Sequence, residues 1–262
     1  FSVAIPTIAL TLLLDWAGRH FFVANHGYPF DWFAVRTLGS LLMANEVWFV
    51  SITSFSNVPY WSICYEVWYY AAFGMLMFMP RRKAWIAVAA LAVLLGPKVV
   101  LLAPVWGLGV LLYRWKRLAD ISEATGWALV ASSVVGIALY LAFDIEHRAA
   151  APLQALLGKA RFEQLAFSRW FIGDYLLAPM VMLHFAGMRR IAGRLAGAAT
   201  LVEKPIRRLA AYTFTLYLLH QPLFLFWGSV LNGNNRDYGN WAVVTLLVAA
   251  SIALVGAVTE NR

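Results

Sequence analysis

The residues with the clearest chemical potential lie in Asn57-Val58-Pro59-Tyr60-Trp61-Ser62-Ile63-Cys64-Tyr65-Glu66-Val67-Trp68-Tyr69-Tyr70, which opens a long apolar run yet carries a carboxylate about two turns in. A charged side chain at the centre of a bilayer costs about 2.5–3.5 kcal/mol even on lenient insertion scales. An acid in such a run is therefore neutral, paired, or held in a polar cavity. On a helix, Ser62, Glu66 and Tyr70 fall at i, i+4 and i+8, so hydroxyl, carboxyl and phenol share one face. The functional reading makes Glu66 a buried group that orients or activates a reacting partner. The structural one makes it the partner of a buried arginine or hydroxyl.

A second stretch, Tyr212-Thr213-Phe214-Thr215-Leu216-Tyr217-Leu218-Leu219-His220-Gln221-Pro222, sets a histidine about eleven residues into an apolar run. Thr213, Tyr217 and His220 form a stripe at i, i+4 and i+7. Pro222 cannot donate to the Leu218 carbonyl, so a kink and a free carbonyl are expected beside the imidazole. Such a histidine lines a cavity or is a satisfied core residue. Other candidates are weaker. His184 sits near one end of a run, and Asp174 and Asp15 have arginines within helical reach at Arg169 and Arg19. His20, His26, Asp31 and Arg36 crowd one loop, and Glu260 ends the last run.

These residues must be carried by elements that tolerate lipid. The 262-residue chain is 62% hydrophobic and 13% charged, with a mean hydropathy of +0.69. Soluble domains are nearer about 45–50% apolar and about 25% charged, which excludes that class. Apolar runs at 1–18, 60–79, 84–96, 99–113, 126–143, 170–187, 209–230 and 241–258 give eight expected spans of an all-α, polytopic transmembrane bundle. Gly96-Pro97-Lys98 divides the third from the fourth. The net charge of +8 sits in short connections between runs, which argues for topology signals and anionic headgroups rather than nucleic acid.

Charge also orients the bundle. Segments 80–83, 114–125 and 188–208, with the C-terminus, carry 13 of the 21 basic residues and are assigned to the cytoplasm. Residues 144–169 then form an outer loop. Residues 19–59 form another, whose apolar part between Thr37 and Ser54 is expected to be a re-entrant or surface-lying helix. Asn232-Gly233-Asn234-Asn235 reads as a turn. The chain opens on Phe1 inside an apolar stretch with no signal-peptide pattern, so its beginning is expected to be missing. Cys64 is the single cysteine and reads as packing. No repeat or linker divides residues 1–262, so one domain is expected. No phosphate loop, Cys/His metal spacing or Gly-x-Ser-x-Gly is present, and no metal is expected.

Asn57-x-Pro59-x-Trp61-Ser62-Ile63-x-x-Glu66-x-x-x-Tyr70 resembles the Trp-Ser-Leu-x-x-Glu signature of the acyltransferase 3 family of membrane O-acyltransferases. The stretch ending Leu216-Tyr217-Leu218-Leu219-His220-Gln221-Pro222 is similar to that family's later Leu-Tyr-Leu-x-His-x-Pro signature, and Glu260 resembles the acid closing its core. The resemblance implies a ten-helix bundle in a bacterial inner membrane, with eight spans here, two absent from the start and a cytoplasmic C-terminus. It implies transfer of an acyl group, commonly acetyl, from cytoplasmic acyl-CoA to a hydroxyl of an extracytoplasmic carbohydrate or glycolipid. Glu66 and His220 take the catalytic positions, and Trp61, Ser62, Tyr70 and Tyr217 line the substrates. The family's first-helix histidine and Arg-x-x-Arg pair have no counterpart here, so the chain by itself is expected to be inactive. A transporter or flippase for lipid-linked saccharides, using the same polar stripe as a passage, is the rival reading.

Overall fold

The computed structural model describes residues 3–22, 28–118, 120–200, 202–233 and 237–259, with side chains except at 198, 199 and 208. Twelve α-helices occur among the described residues: α1 (Ala4–Phe21), α2 (Phe33–Leu41), α3 (Tyr60–Phe78), α4 (Arg81–Leu95), α5 (Pro97–Arg114), α6 (Glu123–Ala142), α7 (Ile145–Leu157), α8 (Lys159–Gln164), α9 (Phe171–Ala199), α10 (Glu203–Ala210), α11 (Thr213–Leu231) and α12 (Tyr238–Thr259). No strand is present among them beyond an isolated bridge between Ser54 and Asn57. The all-α expectation holds.

Among the described residues each of the eight apolar runs is largely helical, but five helices are long and apolar enough to cross a membrane: α5, α6, α9 to Gly197, α11 and α12. The chain is therefore an integral membrane protein, with five candidate spans among the described residues where the sequence pattern suggested eight. The shortfall has local causes. Asp15, Arg19 and His20 dilute the end of α1, and α3 begins with Tyr, Trp, Ser and Glu rather than aliphatic residues. Helix α4 has only 15 residues and opens on Arg81-Arg82-Lys83.

Several connections also differ from expectation. The apolar stretch 37–54 is helical only through Leu41. Beyond it Met43, Trp48 and Phe55 take left-handed backbone angles, which a continuing helix cannot accommodate. Residues 144–169 are two helices and a 3-10 turn rather than an open loop. Helix α9 continues twelve residues past 187, carrying Arg189, Arg190 and Arg194 within it, so 188–208 is largely helical.

The chain divides into two compact units, one of 1–45, 52–67 and 202–262, the other of 46–51 and 68–201. In the first, α11 packs on α1 and α12. Leu219 and Leu223 of α11 meet Val244, Val248 and Ile252, which recur every fourth residue along α12, with Leu14 from α1. Gly256 leaves room for the Tyr212 ring, since a Cβ there would fall 2.5 Å from Tyr212 Cδ1.

Buried polar contacts fix the segment that leads into α3. The Ser56 backbone N–H and hydroxyl donate to the Asp15 carboxylate at 3.0 and 2.5 Å, and Asn57 Nδ2 donates to Thr11 Oγ1 at 3.3 Å. Arg36 Nη1 donates to the Thr53 carbonyl at 3.0 Å, and the hydroxyls of Ser40 and Ser54 are hydrogen-bonded. Tyr60 Oη then donates to the Ser40 carbonyl at 3.1 Å. Asn57 and Tyr60 thus set the entry angle of α3. Cys64 is buried, with Sγ against the Met43 carbonyl at 2.7 Å, a packing role as expected.

In the second unit α9 packs against α5, α6 and α7. Small residues allow α6 and α9 to approach closely: a Cβ on Gly187 would lie 2.6 Å from the Gly126 carbonyl oxygen. Ser122 caps α6 by accepting from the Thr125 N–H at 3.1 Å. Pro97 starts α5 where its missing N–H costs nothing.

Candidate active site

Two signature stretches, distant in sequence, meet in the first unit. Tyr217 Oη on α11 donates to Ser62 Oγ on α3 at 2.7 Å, and the Ser62 hydroxyl points to the Pro59 carbonyl at 3.4 Å. Glu66 lies one turn beyond Ser62, half-buried and within electrostatic reach of the Tyr217 hydroxyl. Among the described residues its carboxyl has no hydrogen-bond or ion-pair partner. A carboxyl stripped of much of its water yet left unpaired is poised to take a proton or a donor from a ligand.

His220 is half-buried one turn beyond Tyr217, their ring centroids 6.4 Å apart. Its Nδ1 faces the Tyr217 and Leu216 carbonyls at 2.8 and 3.1 Å. Carbonyls only accept, so Nδ1 carries the proton and Nε2 of the neutral ring presents a lone pair. Helix α11 runs unbroken through Pro222, and these partners lie one and two residues before the Leu218 carbonyl expected to be free.

The remaining expected residues are placed less centrally. Trp61 stacks edge-on against Tyr65, with centroids 5.2 Å apart. Tyr70 belongs to the second unit, where its ring meets Trp106 edge-on at 5.5 Å. Thr213 Oγ1 donates to the Ala210 carbonyl. Of the weaker candidates, His184 Nδ1 meets Ser133 Oγ at 3.0 Å, His20 Nδ1 faces the Trp16 carbonyl at 2.8 Å, and Arg36 pairs with Asp31 at 2.8 Å. Arg169 lies over the Trp170 ring rather than pairing with Asp174. His26 and Glu260 lie outside the described residues.

A contact beside the site had no sequence signal beyond its place in a motif. Gln221 Nε2 donates to Tyr28 Oη at 2.5 Å, and the Tyr28 carbonyl accepts from Arg19 Nη2 at 2.5 Å. Arg19 also covers the Phe30 ring at 5.0 Å. Gln221 therefore ties the His220 turn to the residues that follow α1.

A family model for an acyltransferase domain, acyltransferase 3, matches residues 1–260. The chain belongs to this family. Comparison with curated proteins and with solved structures returns no match. Membership makes the chain an acyltransferase acting on some acceptor from within a membrane.

Proposed function

We propose that this acyltransferase moves an acyl group, acetyl in the simplest case, from acyl-CoA to a hydroxyl of an envelope carbohydrate or glycolipid. The observation that carries the reading is the Tyr217–Ser62 hydrogen bond, which joins the two signature stretches beside an unpaired Glu66. In such a transfer the acceptor oxygen attacks the thioester carbonyl. A C–O bond forms, the C–S bond breaks, and the acceptor's proton ends on the departing thiol. Glu66 orients the acceptor hydroxyl or holds its proton, and His220 Nε2 offers a second acceptor for it. Tyr217 Oη donates to Ser62 Oγ and so orients the Ser62 hydroxyl, which turns from its long contact with the Pro59 carbonyl to donate to the developing oxyanion, and Trp61 walls the acceptor site.

In this reading the donor arrives from the cytoplasm, the acceptor lies on the other side of a bacterial inner membrane, and the C-terminus is cytoplasmic. The spans number eight, with α1, α3 and α4 crossing despite their polar or short sequences, and residues 1–262 act as one domain. The test compares envelope glycan from cells producing the natural protein, as wild type or with Glu66→Gln, scoring base-labile acyl esters and total exported glycan. Loss of esters with normal export is expected. Esters persisting in Glu66→Gln, or export failing with it, overturns the reading, the second outcome in favour of a transporter.

A further inference from the structure

Helices α5 and α9 of the second unit run side by side in the same direction, with Tyr175 Oη donating to the Leu101 carbonyl at 2.5 Å where they first meet. Below that contact they part around a cavity of about 330 Å³, walled by Val105, Leu108, Gly109, Leu177, Val181 and Phe185. Its single ionisable wall residue is Asp174, in the first turn of α9. The Asp174 carboxylate is half-buried and makes no hydrogen bond or ion pair among the described residues. Its charged neighbour on α7 is another acid, Glu146, which repels it electrostatically.

We propose that this groove holds one chain of a membrane lipid whose primary-ammonium head pairs with Asp174. Three observations on length, charge and room carry the assignment. Asp174 and Phe185 are eleven residues apart, about 16 Å along a helix, which matches one leaflet of a hydrocarbon core about 30 Å thick. The carboxylate stands at the end of α9, where a headgroup lies, and the apolar walls continue inward from it. A half-buried carboxylate with an acid for a neighbour is complemented best by a cation able to donate hydrogen bonds. A hydroxyl would satisfy the hydrogen bonding but leave the charge. Gly109 borders the open groove, since a Cβ there would meet no atom within 4 Å, so only a larger side chain at 109 would fill it.

The site is separate from Glu66 and does not depend on the acyl-transfer reading. Its test is lipid retention. The full chain is reconstituted in nanodiscs of equal phosphatidylethanolamine, phosphatidylcholine and phosphatidylglycerol, and bound lipid is read by native mass spectrometry after release. Wild type is expected to keep phosphatidylethanolamine over phosphatidylcholine by about tenfold, the worth of one charge-assisted hydrogen bond. Asp174→Asn should bind lipid without that preference, and Asp174→Glu should keep it. Gly109→Leu should empty the groove of every lipid, and it carries the test if Asp174→Asn does not fold. Equal retention of the three heads by wild type overturns the proposal. So does a preference that survives Asp174→Asn, or retention unchanged in Gly109→Leu.

Discussion

Lys98 Nζ lies 2.5 Å from Glu46 Oε2, and both side chains are wholly shielded from solvent. The ammonium also donates to the Val50 carbonyl at 2.6 Å, and Ser51 Oγ donates to Glu46 Oε1 at 2.6 Å. Ser168 Oγ bonds the Lys98 carbonyl at 2.8 Å, so the start of α5 is clasped from two sides. Removing one partner of a buried pair strands the other charge, at about 3–5 kcal/mol, whereas replacing both with apolar groups is often neutral. Glu46→Gln and Lys98→Met should therefore each lower the melting temperature sharply in detergent. Glu46→Leu with Lys98→Met should recover most of it. A double variant as unstable as the singles would show that the pair does more than neutralise itself.

Gly96 closes α4 just before this clasp, with φ +86° and its N–H donating to the Ala92 carbonyl at 2.9 Å. A Cβ there would fall 2.7 Å from Trp48 Cα and 2.8 Å from Trp48 Cγ, and the Trp48 N–H donates to the Leu95 carbonyl at 2.7 Å. Because the clash involves backbone, neighbouring side chains cannot relieve it by rotating. Gly96→Ala should cost about 1–3 kcal/mol or more from overpacking, with the left-handed backbone adding to it. Thermal unfolding followed by tryptophan fluorescence checks this, and Gly109→Ala, in open space, is the matched control.

What the sequence revealed and what it hid follow from the range of the forces involved. Eight apolar runs became helices because span length and apolarity are local properties. The Trp61–Glu66 and Tyr217–His220 stretches could be named because their spacing is local too, yet the hydroxyl contact between them crosses 155 positions and is visible only in the fold. Lys98 looked like part of a helix break, and Glu46 falls inside the apolar part between Thr37 and Ser54. Their pairing across 52 positions has no local pattern, and neither residue was singled out. The part between Thr37 and Ser54 read as apolar, but beyond Leu41 buried Asn45, Ser54, Ser56 and Asn57 hold the chain in an irregular path. Tyr70 shares helical spacing with Ser62 and Glu66, and spacing alone could not assign it to Trp106.

Tyr217 and Ser62 offer a test of the active-site reading apart from Glu66. A single neutral hydrogen bond contributes about 0.5–1.5 kcal/mol, so Tyr217→Phe should fold nearly as well as wild type. If the tyrosine hydroxyl orients Ser62 as the oxyanion donor, acyl transfer should fall about 10²-fold. Ser62→Ala should act through the same contact, and the double variant should lose little beyond the worse single. Ester formation in membranes given labelled acetyl-CoA measures all three. Additive losses would separate the two hydroxyls into independent roles.

His147 and Asp144 form an exposed pair at the start of α7, outside the candidate spans, with Nδ1 2.6 Å from Asp144 Oδ1. The hydrogen bond to that carboxylate, opposed by slight desolvation and aided by the charges of Asp144 and Glu146, raises the imidazole above its ordinary value of 6.5. A histidine raised in the folded state adds stability that is fully present below its unfolded value and is lost as pH climbs through the folded one. The contact should therefore be tight at pH 6 and loosen above neutrality. Asp144 holds a left-handed backbone at φ +50°, so the pair also secures the turn from α6 into α7. Titrating the His147 ring by NMR should give a midpoint above 6.5 that falls toward it in Asp144→Asn. Amide exchange at Ile145–Arg148, corrected for its intrinsic pH dependence, should quicken between pH 6 and 8 in wild type. A variant lacking the carboxylate should show that faster exchange at both pH values, and a midpoint indifferent to Asp144 would remove the contact as its cause.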